Sequence, residues 1–87
     1  MATKRIGVID HYYDKIGVAV IKLERGKIKV GDKLKITDRG GEELFEQEVT
    51  SIQIDGQNVD EVKKGDDFGM KVDQKVKEGY GVYPAEE

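Results

Sequence analysis

The sequence predicts an all-β domain, a small barrel of six strands. Segments rich in β-branched residues or in alternating apolar residues recur at short intervals, separated by turns that contain glycine. Strands at this spacing form a sandwich or a barrel, and the 11 glycines favour a barrel, where tight bends are frequent. The 87 residues are expected to form one domain, residues 1–87, with a core over about 4–83 and a frayed tail over 84–87.

The first two strands are expected to form a hairpin. Residues 4–13 are rich in β-branched and aromatic side chains, which favour strands, and Asp14 and Lys15 make a short turn. The second strand, residues 16–23, is almost continuously apolar, which is typical of a strand covered on both faces for part of its length. A helix is the poorer interpretation because the segment is short, mostly β-branched and contains Gly17.

The stretch from Gly26 to Ile36 predicts a bend between two strands. Its lysines share one parity and its aliphatic residues share the other, so an extended chain exposes the first set and buries the second. A positive φ at Gly31 is expected to reverse the chain, and residues 37–41 are expected to form a loop. The expected inner residues are Ile28, Val30, Leu34 and Ile36, and the expected outer residues are Lys27, Lys29, Lys33 and Lys35.

One long strand is expected over residues 42–54, and its apolar positions change parity along the way. Phe45 and Val49 share one parity, whereas Ile52 has the other. A single strand can point the apolar residues of both parities into one core only if an extra residue is inserted between the two groups. A β-bulge or a sharp bend is therefore predicted near residues 50–51.

The last third of the chain predicts turns and two further strands. Asp55 and Gly56 form a strong turn signal. Val59 and Val62 lie three residues apart, which predicts one helical turn or a tight loop. The fifth strand is expected to bury Phe68, Met70 and Val72, a last turn is expected at Glu78 and Gly79, and the closing strand is expected over residues 80–83.

Composition narrows the possible functions. No apolar run approaches the roughly 18 residues that span a membrane, so we expect no membrane partner and, by default, a cytoplasmic location. The absence of cysteine excludes disulfides and thiolate chemistry. The net charge of −3 is uneven, +5 over residues 1–40 and −8 over residues 41–87. This asymmetry fits a nucleic-acid surface on the basic half, and it also fits two solvated faces that attract each other.

Three sequence runs carry a family resemblance. The run G-x-I-x-x-G-D-x-L-x-I over residues 26–36 resembles the second, β-barrel domain of translational GTPases such as elongation factor Tu and initiation factor two. The run over residues 11–23, with the tail over residues 76–83, is similar to small proteins called translation elongation factor-like. The resemblance covers about residues 6–83 and implies a six-stranded closed Greek-key barrel of the translation-factor domain 2 type. This chain departs from the family at Gly79-Tyr80-Gly81, where E-G-D-x-V-Y is expected.

The resemblance also implies partners. In the full-length factors this barrel contacts the acceptor end of tRNA or the ribosome, so a non-catalytic domain that binds tRNA, rRNA or the ribosome is implied. The alternative is a protein-interaction adaptor that binds no nucleic acid. GTP hydrolysis belongs to a separate domain of those factors, so we expect no GTP binding and no cofactor. A phosphate loop would also need lysine at the position that Asp32 occupies.

No catalytic or metal centre is expected, and one candidate interface remains. His11 is the only histidine, whereas a catalytic zinc site needs three clustered ligands. Small barrels bind single strands with cationic grooves and exposed aromatic rings. Alternating lysines equally keep a sheet face soluble and discourage edge pairing. The candidate nucleic-acid residues are the basic stripe Arg25, Lys27, Lys29, Lys33, Lys35 and Arg39, with Tyr12 and Tyr13 as stacking platforms.

Overall fold

The structure, a computed structural model, describes residues 5–85. This part of the chain contains ten short strands joined by turns and loops. This part contains no helix that is long and apolar enough to cross a membrane. The strands are β1 (Gly7–Tyr13), β2 (Val18–Leu23), β3 (Lys27–Lys29), β4 (Lys33–Thr37), β5 (Glu43–Glu48), β6 (Ile52–Ile54), β7 (Gln57–Val59), β8 (Glu61–Lys63), β9 (Asp67–Lys71) and β10 (Gly81–Pro84).

Eight of these strands form one antiparallel sheet in the order β5-β4-β10-β1-β2-β9-β6-β7. The other two, β3 and β8, pair with each other. The sheet curves around a single apolar core, so in most strands the residues of one parity face this core. The largest fully buried side chains are Phe68, Ile9, Ile21, Leu23, Ile28, Leu34, Ile36, Ile52, Met70, Val49, Val62 and Val82.

The expected closed six-stranded Greek-key barrel needs two corrections. The strands number ten because bends divide several expected strands into shorter ones. The sheet is also open, since over residues 5–85 its two end strands, β5 and β7, do not pair with each other. The physical reason is that the chain leaves the sheet at Asp60 and continues as β8, which pairs with β3 instead.

The parity prediction for the Gly26–Ile36 stretch is confirmed except at one residue. Ile28, Leu34 and Ile36 are buried, and Gly31 has a φ of 102°. Val30 was expected inside, but it is 42% exposed. Strand β3 ends one residue earlier, so Val30 lies in the turn, where strand alternation no longer decides which side chain faces the core.

The predicted bend near residues 50–51 is confirmed as a complete break between β5 and β6. Val49 and Ile52 are both buried although they lie three residues apart. Of the two alternatives expected at Val59 and Val62, the helical turn is wrong and the tight connection is confirmed, since one bend residue, Asp60, joins the two strands. These two valines belong to separate strands, β7 and β8, and pair with different partners.

The ends of the fold differ from expectation. The second strand begins at Val18 rather than at residue 16, because residues 14–17 form the hairpin turn. Pro84 was expected in a frayed tail but pairs with Leu34 in the sheet, and the Ala85 amide donates to the Lys33 carbonyl at 3.0 Å. The expected strand residue Lys4 and the tail residues 86–87 lie outside the described residues.

A bulge at Asp10 decides which side chains of β1 face outward. The register with β2 shifts between Ile9 and His11. Ile9 is buried, and without the shift His11 and Tyr13 would share its parity and point into the core. The bulge turns these two aromatic side chains to the outer surface, beside the outward residues of β2.

Candidate nucleic-acid interface

The basic stripe does not form one continuous surface, because its lysines belong to different sheets. Lys27 and Lys29 lie on β3, whereas Lys33 and Lys35 lie on β4 between β5 and β10. Arg25 is exposed in the turn before β3, and Arg39 lies in the loop after β4. The structure therefore brings the stripe residues together only in pairs.

Glutamates face most of these lysines. On β5, Glu48 lies opposite Lys33 and Glu46 lies opposite Lys35. The Lys27 ammonium lies 3.8 Å from the Glu61 carboxylate, and a second pair of the same length joins Lys35 to Glu43. These neighbouring carboxylates offset the positive potential around the stripe's lysines, whereas Arg39 has no such partner among the described residues.

A surface with little charge lies on the outer side of strands β1, β2, β9 and β6. Register places Tyr13, Val18 and Lys71 in one row, and His11, Val20, Gly69 and Gln53 in the next. In a chain with 38% charged residues, Lys71 is the only charged residue in these two rows. We call this surface the β2–β9 face; it comprises His11, Tyr13, Ile16, Val18, Val20, Ser51, Gln53, Gly69 and Lys71.

A shallow cavity of about 150 Å³ lies in this face. The absence of a side chain at Gly69 leaves it open, since a Cβ built there would lie 3.4 Å from the Val18 Cγ1 atom. Gln53 donates from Nε2 to the Asn58 Oδ1 atom at 3.1 Å, which orients its amide at the edge of the cavity. The lining residues are Ile16, Val18, Ser51, Gln53, Gly69, Met70 and Lys71.

Two aromatic rings border the same face. Tyr13 is 50% exposed, and its ring meets the His11 ring edge to face with centroids 4.5 Å apart. The His11 Nδ1 atom lies 3.1 Å from the Glu78 Oε2 atom, which anchors the imidazole. Of the two expected stacking platforms, Tyr13 therefore lies on the face, whereas Tyr12 points inward and is half-buried.

Tyr12 lines a second concave region, beside the loop before β10. A cavity of about 360 Å³ holds it together with Lys75, Lys77 and Tyr80, and an adjoining cavity of about 400 Å³ adds Arg39. Thus Tyr12 and Arg39, two of the residues expected from the sequence, line adjoining cavities. Sequence reasoning missed Lys75, Lys77 and Tyr80, because only the packed loop before β10 brings them there.

The sequence carried one usable signal for the β2–β9 face. The almost continuously apolar run of residues 16–23 predicts a strand covered on both faces for part of its length, and the outward Val18 and Val20 are half-buried. Ile16, at the turn of the same hairpin, is 61% exposed. Across residues 5–85, no three His, Asp or Glu side chains lie close enough to hold a metal ion together.

Comparisons with known proteins agree with this architecture. The family model described as elongation factor Tu domain 2 matches residues 17–78. An uncharacterized protease from Methanocaldococcus jannaschii is 36% identical over 78 residues, and the match covers 90% of this chain and 19% of that protein. The chain therefore spans about a fifth of the length of this curated relative.

Two solved structures share the fold. Both are crystal structures of the C-terminal domain of a Geobacillus thermoleovorans protein described as a U32 peptidase, one of them a selenomethionine variant. The selenomethionine variant has a TM-score of 0.81 at 18% identity and covers 92% of this chain and 98% of that chain. The other has a TM-score of 0.85 at 18% identity and covers 95% and 93%. At this identity the likeness concerns the fold alone.

Proposed function

Because the chain belongs to the elongation factor Tu domain 2 family, we propose that it is a non-catalytic RNA-binding domain whose β2–β9 face holds an unpaired base of an RNA strand. The observation that carries this proposal is the cavity at Gly69, in which Lys71 is the one charged lining residue. A cavity of about 150 Å³ is smaller than the roughly 300 Å³ at which ordinary small-molecule sites begin. A single ring at an end or bulge of a longer chain suits it better than a complete small ligand.

The chemistry around the cavity supports a base more than a sugar or a peptide. Val18 and Gly69 offer a flat apolar floor for a ring, and Tyr13 adds an aromatic edge. The Gln53 amide and the Ser51 hydroxyl supply donors and acceptors for a base edge, and Lys71 supplies one charge for a phosphate. In translation factors, the domain that this chain resembles contacts tRNA or the ribosome, and tRNA, rRNA and the ribosome are the partners proposed here.

The protease name belongs to a relative of which this chain spans only 19%, so it describes a much longer protein. Nothing in the cavity resembles a hydrolytic centre. The proposal therefore assigns this chain a binding role in the cytoplasm, without GTP and without a cofactor.

The test is binding of a labelled single-stranded RNA, measured by fluorescence anisotropy at about 50 mM salt. The variant Gly69→Leu fills the cavity from an outward strand position. Stacking of one base contributes about 1–3 kcal/mol, so we expect affinity to fall about tenfold or more. A duplex RNA of the same length should bind more weakly than the single strand, because its bases are not free to enter the cavity.

The matched control is Gln57→Leu, which also adds an exposed leucine but lies on β7 away from the cavity. It should keep the wild-type affinity. The proposal fails if wild-type protein shows no salt-sensitive RNA binding, or if the two leucine variants weaken binding equally.

A second candidate function is a protein-interaction adaptor. The specific observation in its favour is the exposure of Ile16, with Val18 and Val20 beside it, on a face that a neighbouring protein surface would also cover. Copurification from cells with and without nuclease separates the two candidates. A protein partner that stays bound after nuclease treatment favours the adaptor, whereas loss of all partners favours RNA.

A further inference from the structure

Gly79, in the loop before β10, and Gly81, the first residue of β10, make room for arginine side chains. A Cβ at Gly79 would lie 2.7 Å from the Arg39 Nε atom and 3.3 Å from its Cγ and Cδ atoms, so the arginine stem lies directly over this glycine. A Cβ at Gly81 would lie 3.3 Å from the Arg5 Cδ atom and 2.8 Å from the Thr37 Oγ1 atom.

The Arg39 guanidinium is held by one end only. Its Nε donates to the Glu78 carbonyl at 3.0 Å. Within residues 5–85, no carboxylate forms an ion pair with Arg39, so its two terminal nitrogens have donors to spare. A guanidinium fixed at Nε is oriented for two parallel hydrogen bonds to one oxyanion.

A polar cavity of about 170 Å³ lies beside this guanidinium. Arg5, Thr37 and Tyr83 line it together with Arg39, and the glycines leave its floor open. Arg5 also forms a two-point ion pair with Glu24, through Nε at 3.0 Å and a terminal nitrogen at 3.2 Å. Lys77 shares the adjoining cavity with Arg39 and adds a third cation.

Two acids face these cations, namely Glu24, which pairs with Arg5, and Asp38. Asp38 lines the same cavity, and its Oδ1 accepts hydrogen bonds from the Gly40 and Glu42 amides at 2.8 and 2.9 Å. These bonds fix its carboxylate within its own loop. Arg39 has no carboxylate partner, so its guanidinium is the cation available to a ligand at the open side of the cavity.

We propose that Arg39, oriented by Gly79, is the centre of a phosphate-binding site, with Arg5 and Lys77 as supporting cations. The ligand is a tetrahedral phosphate group, either a free phosphate ion or a phosphate of a nucleic-acid strand. The site lies at the β4–β5 loop and the β10 start, apart from the β2–β9 face, and it does not depend on RNA binding there.

The experiment titrates ¹⁵N-labelled protein and follows amide shifts by NMR, first with sodium phosphate and then with a short oligonucleotide, at constant ionic strength. Both titrations should move the amides of Gly40, Gly41 and Gly81. The variant Arg39→Gln should weaken phosphate binding about tenfold or more, because a charge-assisted pair of hydrogen bonds is lost. Arg25→Gln removes the same charge from an exposed turn outside the cavity and should leave binding unchanged.

A third variant tests the orienting role of Gly79. Gly79→Ala places a methyl group where the arginine stem lies, at a φ of 90°, so phosphate binding should fall although Arg39 is intact. Saturation by phosphate ion alone identifies a free-phosphate site, and tighter binding of the oligonucleotide identifies a nucleic-acid phosphate. The site is refuted if neither ligand moves these amides, or if Arg39→Gln and Arg25→Gln behave alike.

Discussion

Gln47 is one of two buried polar residues among those described, and both ends of its amide are used. Its Nε2 donates to the Lys71 carbonyl at 2.8 Å, and its Oε1 accepts from the Asp73 amide at 2.9 Å. The side chain thus replaces a missing sheet partner where β9 ends. This single residue joins β5 to the segment that carries Lys71, the cation of the β2–β9 face.

Replacing Gln47 with leucine should destabilise the protein by about 1–3 kcal/mol, because the Lys71 carbonyl and the Asp73 amide lose their partner inside the fold. Urea unfolding followed by circular dichroism measures this loss. The exposed Gln57→Leu serves as the matched control and should change stability by less than about 0.5 kcal/mol. Equal stability of the two variants would show that water replaces the Gln47 hydrogen bonds at no cost.

In the β6–β7 hairpin, the conformation of a two-residue turn determines how the two strands are joined. Asp55 and Gly56, its two central residues, have φ values of 53° and 80°. Both therefore lie in the left-handed region, as the tight two-residue turns that match strand twist require. Aspartate tolerates this conformation better than most residues, and glycine adopts it freely.

The variant Gly56→Ala should lose about 1–2 kcal/mol of stability, since a Cβ is unfavourable at a left-handed φ. Nothing lies within 4 Å of the position that this Cβ would take, so the effect isolates backbone strain from crowding. Gly69→Ala makes the same chemical change in a strand with ordinary φ and should be close to neutral. Thermal unfolding of both variants checks the difference, and an unchanged midpoint for Gly56→Ala would contradict the assigned turn.

Hydrogen-bond protection should vary across the whole molecule as the strand order dictates. Strands β1, β2 and β9 each have paired neighbours on both sides, and they carry fully buried core residues such as Ile9, Ile21 and Phe68. Strands β5 and β7 form the two ends of the open sheet. The central strands should therefore open only with global unfolding, whereas the end strands open locally.

Native-state amide exchange measured by NMR tests this order. The slowest amides should belong to β1, β2 and β9, for example Ile21 and Phe68. In β7, the amides that have no hydrogen-bond partner in a neighbouring strand should exchange faster than the other strand amides. Protection of β7 and β5 equal to that of β2 would instead indicate that the sheet closes in solution.

Local pattern was sufficient to predict most inward residues. Alternation alone identified Ile28, Leu34 and Ile36, and the parity change alone located the break between Val49 and Ile52. The same logic left a helical turn or a tight loop open at Val59 and Val62, where two strands meet at Asp60. A spacing of three residues between two buried side chains shows only that the inward parity changes. It does not show whether the chain forms a helical turn or passes to another sheet.

The candidate surfaces were less predictable from the sequence, because each combines residues that are distant along the chain. The sequence placed its lysines outside correctly, but it could not show that glutamates of β5 and β8 lie across from them. The β2–β9 face needs the bulge at Asp10 and the pairing of β9 with β2. The amino-acid pattern by itself determined the all-β class, the turns and the buried parity, since these depend on local sterics and alternation. Only the tertiary structure decided which strands pair, where the sheet stays open and which charges meet. These features depend on contacts between segments that are far apart along the chain, and local sequence patterns do not show which segments come together.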